Sequence, residues 1–107
     1  MIHIYYTGGD GRNELSVYGH ANYGPCGKDI VCAGVSAIAY SLLGFLELCE
    51  DEIEDMTGPI VDNGKVYVGC NSTATIDTAF RMAVIGLEQI ADAYPDHVEI
   101  QIVPQGE

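Results

Sequence analysis

The stretch IVCAGVSAIAYSLLGFL, residues 30 to 46, carries no charge and constrains this chain more than any other feature. It lies at the short end for a membrane span, starts with small residues, includes two Gly and two Ser, and has no basic cluster beside it. It reads as a buried helix. Asp29 precedes it as an N-cap, and the helix is expected from about residue 30 to about residue 50. At about 100° per residue, Val31, Val35, Leu42, Leu46 and Cys49 fall on one stripe. Ile30, Gly34, Ile38, Phe45 and Leu48 form a second. Cys32, Ser36, Tyr40, Leu43 and Glu47 form a third and more polar sector. A helix apolar nearly all round is usually buried nearly all round. In a small domain that implies a subunit contact or a groove for an apolar substrate segment.

The remaining segments supply a sheet for this helix to pack on. IHIYYT (2–7) is β-branched and aromatic, GGDGRN (8–13) is a turn, and ELSVYGHA (14–21) alternates, so a β-hairpin opens the chain. NYGPCGK (22–28) reads as a loop able to move. EDEIEDMTGP (50–59) reads as an acidic, exposed connection, NG (63–64) as a turn and KVYVGC (65–70) as a strand. Ser72, Thr73 or Thr75 caps a second helix whose apolar stripe is Ile76, Phe80, Ala83, Leu87, Ile90 and Tyr94, and Pro95 ends it. HVEIQIVP (97–104) is the last strand. The expected fold is α+β and two-layered: a mostly antiparallel sheet with two helices on one face, in the order ββαβαβ. At 107 residues, with no linker or repeat, the chain reads as a single domain, 1–107.

Four Lys and Arg face sixteen Asp and Glu, a formal charge of −12. That field repels phosphate backbones, which argues against direct nucleic-acid binding. It attracts a basic protein or peptide, or serves solubility alone. MIHIYYTGGDGRN reads as strand and turn rather than a secretory signal, so a cytoplasmic protein with reduced thiols is expected. Cys32, Cys49 and Cys70 lie in regular apolar segments, where reduced Cys behaves as a small core residue.

The block YGHANYGPCGKDIVCAGVSA (18–37) holds one of the three histidines and two of the four cysteines. With Asp29 as N-cap, Cys32 sits in the first helical turn, where free N–H groups and the helix dipole favour anions such as a thiolate. His20 ends a strand, and the loop between is long enough to let it approach Cys32. A His within hydrogen-bond reach completes an activated nucleophile. Asp29 is placed to orient the imidazole as well as to cap the helix. The same residues also fit a surface His with a core Cys. The spacing of His20, Cys26 and Cys32, with five residues between each and the next, is not a usual zinc pattern. Cys26 is a second thiol able to react with Cys32 on oxidation. Ser36, one turn after Cys32, either steadies the site or bonds its own backbone. His3 and His97 read as structural. The glycines at 8, 9 and 11 form no phosphate loop.

The combination of GHA, a Gly-containing loop and GKDIVCAGVSA resembles the ribosomal-processing cysteine protease family called Prp, over the whole chain. The resemblance implies His20 as general base and Cys32 as nucleophile, with Asp29 and Ser36 in supporting positions. It implies a cytoplasmic cysteine endopeptidase without metal or organic cofactor, acting as a homodimer. The implied substrate is large-subunit ribosomal protein number twenty-seven, cut after a Phe at the end of a short apolar N-terminal extension, before a basic mature start. Pro25 and Cys26 depart from the family's loop pattern and bear on its mobility and redox behaviour. Two other readings fit the residues: an acidic module that binds a basic ribosomal protein without catalysis, and a redox-sensing thiol protein using Cys26 and Cys32.

Overall fold

The computed structural model describes residues 1–25 and 27–104. The strands are β1 (Ile2–Gly9), β2 (Arg12–Gly19), β3 (Met56–Asp62), β4 (Lys65–Asn71) and β5 (Val98–Pro104), and the helices are α1 (Ile30–Leu48) and α2 (Ala74–Ala93). A short 3₁₀ turn, Glu50–Glu52, follows α1. The order is ββαββαβ, one strand more than the sequence patterning gives. The added strand, β3, lies within the segment expected as an acidic connection and its continuation. Its Gly58–Pro59 pair interrupts the alternation, pairing with β4 shifts between Thr57 and Ile60, and only Met56 is half-buried. An exposed edge strand carries no period-2 signal, so its sequence looks like a loop.

The sheet runs β3-β4-β2-β1-β5. Adjacent pairs are antiparallel except β1 with β5, which is parallel. Each helix therefore links two parallel strands, α1 taking the chain from β2 past β4 to β3, and α2 taking it from β4 past β2 and β1 to β5. The two crossovers run in opposite directions from oppositely directed strands. Right-handed connections then place both helices on the same face. The shared core agrees: Ile2, Ile4, Leu15, Val17, Val68, Cys70 and Val98 of the sheet pack with Val31, Val35, Leu42 and Leu46 of α1 and with Ile76, Phe80 and Leu87 of α2.

Length and apolarity alone would allow α1 to cross a membrane. One side of it packs into the core. Val31, Val35, Ala39, Leu42 and Leu46 are its buried residues, and this is the first stripe of the sequence reading with Ala39 added. Burying each of the four larger side chains stabilises the fold by about 1.5–3 kcal/mol. The second stripe is the apolar excess that the sequence reading assigns to a subunit contact or a groove: Ile30, Phe45 and Leu48 are exposed in the single chain. Leu48 is 83% exposed, so α1 is buried on one side only within a single chain. Thr73 caps α2, its hydroxyl accepting from the Ile76 N–H at 3.1 Å.

Arg12 fastens the acidic segment to the sheet. It donates to Glu14, to the backbone and side chain of Asp55, and to Thr57 Oγ1. Asn71 adds a second tie, donating to the Glu52 carbonyl and accepting from the Glu54 N–H. Residues 50 to 55 are thus held against β2 and β4 instead of forming a free loop.

Candidate active site

One end of the sheet gathers four pieces of chain. β2 ends at Gly19, whose N–H donates to the Gly64 carbonyl in the β3–β4 turn at 2.8 Å. β1 begins beside the turn before β5, with the Ile2 N–H donating to the His97 carbonyl at 2.9 Å. α1 begins at Ile30, so its first turn reaches the same place. Between them lies a cavity of about 220 Å³ whose lining includes His20, Cys32, Ser36, Tyr40, Asp62 and Lys65.

His20 directly follows β2 and is exposed. The β3–β4 turn stands against it: a Cβ at Gly64 would lie 3.0 Å from His20 Nε2. Gly64 has φ 72°, a conformation that favours glycine. Cys32 is half-buried and its thiol is free. The Ala21 N–H donates to Cys32 Sγ at 3.3 Å. The structure therefore brings His20 and Cys32 to one cavity and aims a backbone donor at the sulfur.

Asp29 holds the loop to the helix. One carboxylate oxygen accepts the N–H groups of Val31 and Cys32, both at 3.0 Å, and the other accepts those of Tyr23 at 2.9 Å and Gly24 at 3.2 Å. The Cys32 N–H above all, opposed by partial desolvation and aided by the other three, holds the carboxyl below its ordinary range. This changes two expectations. Both oxygens of Asp29 serve backbone donors, and none of its bonds goes to His20. The N–H groups at the helix start, read from the sequence as free to favour an anion, are engaged: Val31 and Cys32 donate to the Asp29 side chain, and Ala33 donates to the Asp29 carbonyl at 3.0 Å.

Ser36 is exposed and lines the cavity. Ser41, by contrast, bonds the Ala37 carbonyl at 2.7 Å. Among the described residues the Ser36 hydroxyl makes no such back-bond, so it is available to the cavity. The expected role of Cys26 lies outside the described residues. Cys49 and Cys70 are buried in the core, as expected, and burial raises the Cys70 thiol above its ordinary value. His3 pairs with Glu99 on the opposite face of the sheet. Among the described residues no group of His, Cys, Asp and Glu is arranged to hold a metal ion.

Sequence reasoning missed three contributors. The NG turn at 63–64 was legible, but not that it stands beside His20. Tyr40 was placed only on a polar sector. His97, read as structural, has its ring at the loop that follows His20, with Nδ1 2.8 Å from the Ala21 carbonyl.

The third sector of α1 lines more than this cavity. Cys32, Ser36 and Tyr40 face it, and the next residues along, Leu43 and Glu47, line a neighbouring groove of about 580 Å³ with Leu46, Ile53, Met56, Pro59, Val61, Val68 and Glu50. A third space, about 870 Å³, opens between α1 and α2 and shares no residue with the Cys32 cavity.

A family model described as cysteine protease Prp matches residues 1–99. The chain is 33% identical over 89 residues to the ribosomal processing cysteine protease Prp of Mycoplasma genitalium, covering 83% of this chain and 87% of that one. Its fold is similar to that of the S. aureus ribosomal processing protease Prp solved with a covalently linked product peptide, at a TM-score of 0.75 and 24% identity, over 96% of this chain and all of that one. It is also similar to SMU.848 from Streptococcus mutans, at a TM-score of 0.72 and 26% identity, over 98% of this chain and 96% of that one.

Proposed function

The chain belongs to the ribosomal processing cysteine protease Prp family, and we propose that its residues 1–107 form one protease domain in which Cys32 is the nucleophile and His20 the general base. The observation that carries this reading is the shared cavity: the strand-end imidazole and the helix-start thiol line it together, and the Ala21 N–H donates to the sulfur. A backbone donor on sulfur fixes where the nucleophile points.

The reaction is acyl transfer. The Cys32 thiolate attacks the scissile carbonyl carbon and forms a C–S bond. The C–N bond breaks as protonated His20 gives its proton to the leaving amine. Water, losing a proton to His20, then attacks the thioester, and carboxylate product leaves as the thiolate reforms. With the helix-start donors held by Asp29, the oxyanion draws on other donors at the cavity mouth. Ser36 lies one turn along and positions substrate. No step calls for a metal or organic cofactor.

The substrate is a ribosomal protein, number twenty-seven of the large subunit, cut after Phe at the end of a short N-terminal extension. The groove beyond Tyr40 suits such a peptide, because its lining is apolar and Glu47 and Glu50 stand among it. The covalent product peptide of the S. aureus relative supports a peptide as the ligand. The −12 charge favours a basic mature start and disfavours nucleic acid. The protein acts in the cytoplasm, where its thiols stay reduced. A synthetic peptide with an apolar segment, Phe, small residues and then lysines tests this. Cleavage after Phe supports the reading, and an intact peptide with tight binding favours the non-catalytic module.

The exposed apolar face of α1 supports a homodimer. Phe45 and Met82 flank the space between α1 and α2, and Met82 is 76% exposed. Sedimentation equilibrium should return a dimer, and a monomer at high micromolar concentration would refute this assembly.

A further inference from the structure

The turn before β5 carries a histidine that no step above uses. His97 Nδ1 lies 2.8 Å from the carbonyl oxygen of Ala21. A carbonyl oxygen only accepts, so Nδ1 carries the proton and donates. Ala21 is 1% exposed, and its own N–H donates to Cys32 Sγ at 3.3 Å. One residue is thus gripped at both ends, by the thiol at its N–H and by the imidazole at its carbonyl. The next residue, Asn22, has φ 55°, a left-handed conformation that asparagine adopts more readily than other non-glycine residues.

The His97 ring rests on fixed chain. Its backbone N–H donates to the Tyr94 carbonyl at the end of α2 at 3.0 Å, and its carbonyl accepts the Ile2 N–H of β1 at 2.9 Å. Tyr23 packs edge-on against the ring, with centroids 5.2 Å apart and planes at 82°. The anchor therefore belongs to the sheet and α2, whereas the residue it holds belongs to the loop beside the nucleophile.

We propose that His97 is a positioning residue for the cleavage reaction: through the Ala21 carbonyl it holds the backbone N–H that aims the Cys32 sulfur. This rests on the assignment of Cys32 as nucleophile. A donor gains strength as its acceptor becomes charged, so the grip acts more on the reactive thiolate than on the resting thiol. Loss of the anchor lowers the rate of attack more than the binding of peptide, because the groove beyond Tyr40 does not include His97.

The test compares His97→Leu, which removes the donor, with His97→Asn, whose side-chain N–H reaches the Nδ1 position. Cys32 alkylation by iodoacetamide at pH 6, kcat, KM and thermal unfolding are measured for each. In the Leu variant, alkylation and kcat should each fall roughly fivefold, and KM should stay within about twofold of wild type. The Asn variant should recover both rates to within about twofold. If the Leu variant does not fold, His97→Gln replaces it, since its amide reaches the Nε2 position instead and should be slow. Wild-type alkylation in a folded donorless variant, or an Asn variant as slow as Leu at equal thermal stability, would overturn the proposal. Alkylation needs no cleavage, so failure of the peptidase reading and failure of this one give different results.

Discussion

The Ala21 amide points at Cys32 Sγ from 3.3 Å, and His20 is the residue immediately before it. The peptide unit that follows β2 thus reaches the first turn of α1, with the proposed base on one side and the proposed nucleophile on the other.

That arrangement predicts which thiol matters. Cys32→Ser and His20→Ala should each lower kcat by about 10²-fold or more while circular dichroism and unfolding midpoints stay near wild type. Cys70→Ser should do the opposite. Cys70 is fully buried, and a hydroxyl there without a partner costs about 1–3 kcal/mol of stability. Peptide turnover and urea denaturation of the same variants separate the two effects.

Asp29 predicts an acid dependence. Its carboxyl is held below the ordinary range in the folded chain, chiefly by the Cys32 N–H. A depressed folded value stabilises the protein above the ordinary carboxyl range, and that contribution is lost as pH falls through the folded value. Asp29→Asn should therefore melt below wild type at neutral pH, and the gap should close as pH is lowered into the acid range. Thermal melts across that range check it, and a gap that widens in acid would contradict the assignment.

Gly64→Ala should slow the enzyme. The new methyl would stand 3.0 Å from His20 Nε2, at a φ of 72° that disfavours alanine. We expect a stability loss of about 1 kcal/mol from the backbone alone. The fall in kcat should exceed what the unfolded fraction explains, because the base is displaced. Equal kcat per folded molecule would show that the turn merely neighbours the site.

Charge makes a prediction about recognition. The Debye length shrinks from ~10 Å at 0.1 M salt to ~3 Å at 1 M. Exposed pairs are worth only ~0.2–1 kcal/mol each, so a few of them predict roughly a tenfold loss of kcat/KM. A peptide with lysines after the cut should lose its advantage as salt rises, whereas one with glutamines should stay nearly flat. Equal salt dependence would show that the −12 charge serves solubility.

Most of the fold was readable because its signals are local. The buried stripe of α1, the Asp29 cap, the hairpin and the alternation of Val98 and Ile100 each follow from period and composition. β3 was not readable, since Thr57, Pro59 and Val61 of this edge strand face solvent and Gly58–Pro59 breaks the pattern. At the site, the first-turn position of Cys32 followed from its distance to Asp29. The gathering of Gly64, Asp62 and His97 around it did not, because turns and strand ends meet there through sheet order, which no local period encodes. The helix-start donors appeared free for the same reason: their capture by Asp29 together with Tyr23 and Gly24 depends on how the loop folds back.

In the proposed reaction Cys32 attacks the peptide bond. The most direct measurement mixes the protein with the Phe-containing peptide, quenches in acid within the first turnover, and reads intact mass and the modified residue. An adduct equal to the N-terminal fragment less water, on Cys32 and absent from Cys32→Ala, is the predicted result. Release of both fragments by the Cys32→Ala variant, or an adduct on any other side chain, would contradict it.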